Sequence, residues 1–431
     1  MPKHEYILED QGHFWFRNEP ILETDFAPEN HMTGRLRIAD DGVTHLELDG
    51  VLPPVRDPME RTQDRTPRAI QGILKRGGEH VLLIDAVGNG GVLNSNRFSY
   101  ERFMATMCLV GGDEFPRDGE VPTFSKIFVD LDGFEGWLRH GTLKAHATRR
   151  SLVVKHKTIP DLVFQTTSGQ LRFSQRTDHS GSEGLGLHEV TLCERVTMSL
   201  RPKKALSASE VRAHFIALLD LMILLTDSHR PLCWPSVQIR GARTRNTLYC
   251  WRIRSSAEPP KYYEVPTNFP ELQANFGDVY TKWMAKRETF GAGVTSYIAT
   301  RRDVKQYTES QFSMLVQGLE SFHRAKYGND QDNVALKEKV ARILECVTRK
   351  KDRNWLERRL ELASEPTLAA RLERIAADLP FGFERERLVT FSETCASLRN
   401  DLAHFAGDRT RQVNSQYLLR LDAHAKCHRS A

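Results

Sequence analysis

Long apolar runs are missing from this chain of 431 residues. The longest lies within Phe215–Leu225 and is interrupted by Asp220. It is too short to cross a bilayer as a helix and fits a buried helix instead. The opening residues Met1-Pro2-Lys3-His4-Glu5 show none of the apolar stretch of a secretory signal. Cysteine is scarce and unpatterned. The seven cysteines at 108, 193, 233, 250, 346, 395 and 427 include no C-x-x-C pair. An odd, scattered set excludes a disulfide framework and reads as reduced thiols. Internal repeats and low-complexity tracts are absent as well. These absences together lead us to expect a soluble cytoplasmic protein with no membrane partner.

Several chemistries fail on a missing residue. Gly88-Asn89-Gly90-Gly91 has no following Gly-Lys-Ser/Thr, so it reads as a turn rather than a phosphate loop. Asp130-x-Asp132-Gly133-x-Glu135 would need a carboxylate at the twelfth position of a calcium loop, where Gly141 stands. It reads as a strand end and turn. Pro160-Asp161 begins like a metal-nuclease motif, but no lysine follows between 162 and 200. His424, Cys427 and His428 share a helix face near a fraying terminus and fall one ligand short of a structural zinc site. We expect no metal and no cofactor.

Charge of one sign is not abundant overall, with a formal net charge of +5. Its placement is uneven. Residues 301–431 hold 24 Lys and Arg against 19 Asp and Glu, which leaves 37 against 37 for residues 1–300. The whole excess lies in the last third, which suits a polyanionic partner.

The first 200 residues read as strands and turns. Gly34–Ile38 and Thr44–Leu48 alternate polar with apolar around Asp40-Asp41-Gly42, a hairpin signal. Val81–Ile84, Met104–Val110, Phe124–Leu131 and Val190–Leu200 are further strands, so a sandwich or barrel-like domain is expected. Ser207-x-x-Glu210 is a capping box that opens an apolar helix running to Thr226. A strand pair follows at Ser236–Arg240 and Thr247–Ile253, and then a Pro-rich stretch, Glu258–Pro270. Beyond it the chain reads as helical. Phe312, Leu315, Val316, Leu319 and Phe322 mark one helix face. Leu336, Val340, Ile343, Leu344 and Val347 mark a second, and Leu368, Leu372, Ile375 and Leu379 a third, with Pro366 in its first turn. Leu388, Phe391, Cys395, Leu398, Leu402 and Phe405 give the seam of a fourth, ended by Gly407. Gln412–His428 is a fifth. The expected fold class is α+β: a β-rich N-terminal domain (1–205), a mixed connecting region (206–300) and an all-α C-terminal bundle (301–431).

The densest chemistry lies in Arg399-Asn400-Asp401-Leu402-Ala403-His404. A guanidinium holds a phosphate in a planar fork, and an imidazole moves a proton near neutral pH. Glu393, Ser397, Asn400 and His404 fall opposite the apolar seam. Asn400 and His404 are one turn apart and therefore neighbours. In the last turn of its helix His404 faces the negative end of the dipole, so its pKa is expected to be raised. Arg399 points about 140° away from His404 in an ideal helix. It must wrap round, act across a dimer interface, or sit on a distorted helix. A polar stripe of this kind is ordinarily just a wet face. The pattern of arginine, four residues, then histidine nevertheless occurs once in the chain.

Arg399-Asn400-x-x-x-His404 resembles the R-polar-x3-H signature of HEPN ribonucleases. Leu319-Glu320-Ser321-Phe322-His323-Arg324 is similar to the corresponding helix of ApeA-like HEPN proteins. The N-terminal part resembles the ApeA N-terminal domain through His13-Phe14-Trp15, Gly34–Leu48, Val110–Phe115 and Phe124–Trp137. The resemblance implies a dimerising helical bundle that cleaves RNA without metal and acts in anti-phage defence by abortive infection.

In that reading a ribose 2′-hydroxyl attacks the adjacent phosphorus, with His404 as general acid or base. Arg399 stabilises the phosphate, and Asn400 orients His404 or the phosphate. Glu320 and Ser397 are supporting candidates, and Arg349, Lys350 and Lys351 a candidate RNA-binding patch. The partners implied are RNA, with tRNA a reasonable target, a second copy of the chain, and a phage-derived trigger. The alternative is a non-catalytic RNA-binding, sensor or scaffold protein.

Overall fold

The computed structural model describes residues 5–19, 21, 26–53, 64–92, 99–112, 115, 121–139, 141–157, 159–181, 190–253, 258–302, 307–328, 334–360, 365–378 and 382–403. The chain forms two compact units, one of residues 1–222 with 228–281 and one of residues 223–227 with 282–431.

The first unit is built on a single antiparallel sheet of thirteen strands. Its strands are β1 (Tyr6–Phe16), β2 (Met32–Ala39), β3 (Thr44–Leu48), β4 (Arg68–Leu74), β5 (His80–Val92), β6 (Tyr100–Ala105), β7 (Met107–Gly111), β8 (Phe124–Asp130), β11 (Leu162–Gln165), β12 (Gly169–Gly181), β13 (Val190–Pro202), β14 (Ser236–Ile239) and β15 (Asn246–Cys250). Strands β9 (Leu143–Ala147) and β10 (Leu152–His156) pair separately as a hairpin. The expected hairpin is present, with Gly34 opposite Leu48 and Ile38 opposite Thr44. The expected strand Met104–Val110 is instead two strands that break at Thr106. β5 explains the break. Its first half, His80–Ile84, pairs with β7, and Val87–Val92 pairs with β6. Asp85 takes a left-handed φ of 53° where the partner changes, which fits a bulge that bends the strand.

The β5–β6 pairing closes β5-β4-β1-β2-β3-β6 into a barrel, and β7-β15-β14-β8-β13-β12-β11 continue from β5 as an open sheet. Alternation along the strands fills the barrel. Phe14, Phe16, Leu36, Ile38, Leu46, Leu48, Ile70, Val81, Leu83 and Phe103 pack together inside it.

Short helices brace the open sheet. Gly133 has φ +87° and so turns the chain after β8 into α1 (Glu135–Leu138). Trp137 then lies 5.3 Å from Phe269 and 6.2 Å from Phe276, and Phe173 is 4.8 and 5.1 Å from the same two rings. Helix α2 (Ala208–Thr226) opens as read: Ser207 N–H donates to Glu210 Oε2 at 2.7 Å and Glu210 N–H to Ser207 Oγ at 3.3 Å. Phe269 belongs to α3 (Phe269–Leu272), and Phe276 opens α4 (Phe276–Lys286).

The second unit is helical. It comprises α5 (Gly291–Arg301), α6 (Thr308–Tyr327), α7 (Val334–Glu345), α8 (Lys350–Leu360), α9 (Leu368–Ala377) and α10 (Arg385–Ala403). Gly293 and Gly318 let α5 and α6 pack closely: a Cβ on Gly293 would meet the Gly318 carbonyl oxygen at 2.8 Å. Phe312, Leu315 and Val316 of α6 are buried, as are Leu372, Ile375 and Ala376 of α9 and Leu388, Cys395 and Leu398 of α10.

Three sequence expectations change here. Thr367 caps α9, accepting from Ala370 N–H at 3.2 Å, so Pro366 stands before the cap and not in the first turn. Ile343 of α7 is 41% exposed rather than part of a core face. Arg349-Lys350-Lys351 stands at the start of a further helix, α8, which the apolar spacing did not announce. The expected last helix Gln412–His428, Gly407 and Leu379 lie outside the described residues. No described helix is long and apolar enough to cross a membrane. The six described cysteines are free, and burial pushes the thiol pKa values of Cys108, Cys250 and Cys395 up to about 12.

Candidate active site

Helix α10 carries the Arg399 segment, and its two faces separate as the periodicity requires. Leu388, Ser392, Cys395 and Leu398 are buried, while Glu393, Ser397 and Asn400 are exposed. Arg399 follows Ser392 by seven residues, which returns it to the buried side. It is half-buried, and its Nε is enclosed with no hydrogen-bond acceptor among the described residues. The stem is thus held in the bundle while the fork reaches out. Nη1 donates to Asn400 Oδ1 at 3.2 Å. Arg399 and Asn400 are therefore brought together, with Ser397 one turn away on the exposed face. His404 lies one residue past the last described residue of α10 and outside the described residues.

Glu320 sits on α6 in a chain of charges. It accepts from Arg324 Nη2 at 3.1 Å, and the same nitrogen is 3.1 Å from Glu365 Oε2. Glu365 accepts from Arg371 Nη2 at 2.7 Å, and Arg371 Nε donates to the Pro366 carbonyl at 3.0 Å. These bonds tie α6 to the segment that enters α9. Helix α10 packs against α9.

Arg371 was not singled out from sequence, and His323 was read with Glu320 as a polar residue flanking a core Phe322, whereas the structure buries His323 and leaves Phe322 half-buried. Arg371 is 2% exposed, and its Nη1 has no acceptor among the described residues. His323 is also 2% exposed, 4.7 Å from the Tyr327 ring, with Nδ1 unpartnered among the described residues. Burial, then the nearby charges of Arg371, Arg374 and Arg324, push its pKa down to about 4. A neutral imidazole enclosed in this way supports packing and does not reach solvent. Its position explains the burial: His323 follows Leu319 by four residues and so falls on the apolar stripe of α6.

Arg349, Lys350 and Lys351 are exposed at the start of α8, a helix that buries no side chain. The carboxylates weighed as metal ligands have protein partners. Asp132 bonds to Arg195, Asp130 accepts from Thr197, and Glu135 Oε1 accepts from Gly133 N–H at 2.9 Å.

The ApeA N-terminal domain 1 family model matches residues 9–283, and the Apea-like HEPN family model matches residues 313–424. The first match alone covers more than half of the chain. The second spans α6 through α10 and takes in both Arg399 and His404. No curated protein and no solved structure matches. The chain belongs to the ApeA-like HEPN family, an ApeA N-terminal domain joined to a HEPN helical bundle.

Proposed function

We propose that this protein is a metal-independent RNA endonuclease of HEPN type that acts in anti-phage defence by abortive infection. The observation that carries the reading is Arg399, half-buried on α10 of a HEPN bundle with its fork on Asn400, five residues ahead of His404. A guanidinium anchored by its stem and presented at a wet face is preorganised for a phosphate.

The reaction needs a 2′-hydroxyl, which restricts it to RNA. That oxygen attacks the neighbouring phosphorus, the P–O5′ bond breaks, and a cyclic phosphate remains. His404 takes the proton from the nucleophile or gives one to the leaving oxygen. Two copies of the chain would supply both imidazoles, each worth roughly 10²–10⁴-fold. Arg399 stabilises the non-bridging oxygens and Asn400 sets the fork. Ser397 and Glu320 support the site, Ser397 from the same exposed face and Glu320 through Arg324. Arg349, Lys350 and Lys351 attract the RNA backbone. The β-rich unit receives a phage-derived trigger or restrains the bundle.

The test is cleavage of total cellular RNA by the full chain in EDTA, with the ends analysed for cyclic phosphate. Arg399→Ala and His404→Ala should each abolish cleavage while folding and dimer mass persist. Cleavage that survives His404→Ala, or that stops in EDTA, overturns the scheme. RNA bound with salt-dependent affinity but left intact would point to a binding or scaffold protein instead.

A further inference from the structure

Helix α8 is exposed along its length, and the sequence offers a chemical reason. Its eleven residues, Lys350–Leu360, bury no side chain. Lys350, Lys351, Arg353, Arg358 and Arg359 stand against Asp352 and Glu357, and Arg349 precedes them. All are exposed, and none makes an ion pair among the described residues. Among these charges Trp355 is 61% exposed, with the Arg359 guanidinium 5.8 Å from its ring centroid. Leu356 and Leu360 are the half-buried positions of the helix, so α8 rests on them and turns Trp355 outward. Lys351 and Arg359 lie one turn before and one turn after Trp355 on the same face, about 6 Å along the axis in each direction. Of the two acids of α8, Asp352 and Glu357, only Asp352 falls near that face.

An exposed tryptophan bracketed by cations is the arrangement that stacks a base and holds the phosphates on either side of it. We infer that α8 is a docking helix for unpaired RNA, with an exposed base stacked on Trp355 and the flanking phosphates on Lys351, Arg358 and Arg359. The inference rests on the proposed RNA substrate and narrows it to single-stranded segments, loops or bulges, because a paired base does not offer its face. A second copy of this chain is a poorer occupant. A two-fold contact through α8 would set one basic helix against another.

The test is binding by the full chain carrying Arg399→Ala, so that turnover does not consume the probe. The probes are a labelled oligouridylate and a duplex RNA. Trp355→Ala should weaken the oligouridylate about 5- to 150-fold and leave the duplex unchanged, and Trp355→Phe should keep most of the affinity. Replacing Lys351 and Arg359 by Gln should lower the salt dependence by about 0.7 in log–log slope for each phosphate no longer neutralised. Equal affinity of Trp355→Ala and its parent for oligouridylate overturns the inference. So does a Trp355→Ala chain that loses oligomeric mass while still binding RNA normally. The two readings fail separately. Trp355-dependent binding by an unsubstituted chain that never cuts RNA removes the nuclease and keeps the docking helix. Cleavage with an unchanged KM in Trp355→Ala does the reverse.

Discussion

Arg399 donates through Nη1 to the side-chain oxygen of Asn400, the next residue in the chain, at 3.2 Å. Consecutive residues on a helix project about 100° apart, so the bond requires the guanidinium to swing from the buried side toward the exposed one. This turns the fork toward the face that carries Ser397 and Asn400 and away from Cys395 and Leu398. It also narrows the angle that separates Arg399 from the direction of His404 in an ideal helix.

Asn400→Ala therefore tests whether the fork must be held. The exposed side chain contributes little to packing, so thermal unfolding should not move. RNA cleavage should fall by about 10²-fold, mostly in kcat, because a misplaced catalytic group loses its alignment. Asn400→Asp should be slower still, since a carboxylate beside the guanidinium competes with the phosphate for it. Steady-state rates on one defined RNA decide the matter, and parental kcat in the alanine variant refutes a role for the contact.

Local features were legible because their causes are local. The Gly34–Leu48 hairpin follows from alternation around a turn, the start of α2 from its capping box, and α6 and α10 from apolar spacing. Barrel closure was not legible, since it depends on β5 exchanging β7 for β6 at Asp85, and strand partners far apart in sequence leave no periodic trace. Helix α8 was missed because seven of its eleven residues are charged and no apolar stripe announces it. Ser392 and Arg371 were missed for the opposite reason: polar residues stand at core positions. For the candidate site, sequence placed Arg399 and Asn400 on one helix end but not the bond between them, which is set by a rotamer.

Arg371 is the buried charge that ties the segment Glu365-Pro366 to the helix it enters, α9. Truncating it to alanine leaves Glu365 with Arg324 as its remaining partner and the Pro366 carbonyl without its donor. Breaking a buried pair from one side costs about 3–5 kcal/mol, and Glu365 is partly solvated, so the lower end applies. Urea unfolding of Arg371→Ala should show a loss of about 3 kcal/mol. Arg371→Lys should not recover it, because an ammonium lacks the fork that serves both acceptors. An alanine variant within about 0.5 kcal/mol of the parent would show that the network carries no stability.

The barrel offers a test confined to the first unit. A Cβ built on Gly72 lies 2.4 Å from Phe14 Cδ1 and 2.7 Å from the His13 carbonyl oxygen. Gly72→Ala must displace a core ring or the β1 backbone, at a cost of about 1–3 kcal/mol. Proteolysis followed by mass spectrometry should find new cuts in β1–β6 and none in α6–α10. Unchanged protection of the barrel would mean that Phe14 has a second place to go.

His323 gives the bundle a pH dependence of known sign. Its folded pKa is pushed down to about 4 from 6.5, by burial first and then by Arg371, Arg374 and Arg324, while Asp378 pulls weakly the other way. The unfolded chain takes up this proton near pH 6.5, and the folded bundle only near 4. Between those values the unfolded state binds more protons, so stability falls as pH falls. The contribution is intact above pH 6.5 and spent by the time the folded group titrates. At pH 5 the loss amounts to about 2 kcal/mol. Urea midpoints measured at pH 7 and pH 5 should show it, and His323→Phe, which fills the same space beside Tyr327 without a titrating nitrogen, should flatten the difference. If the parent and His323→Phe lose stability equally on acidification, the buried imidazole is not the group that responds.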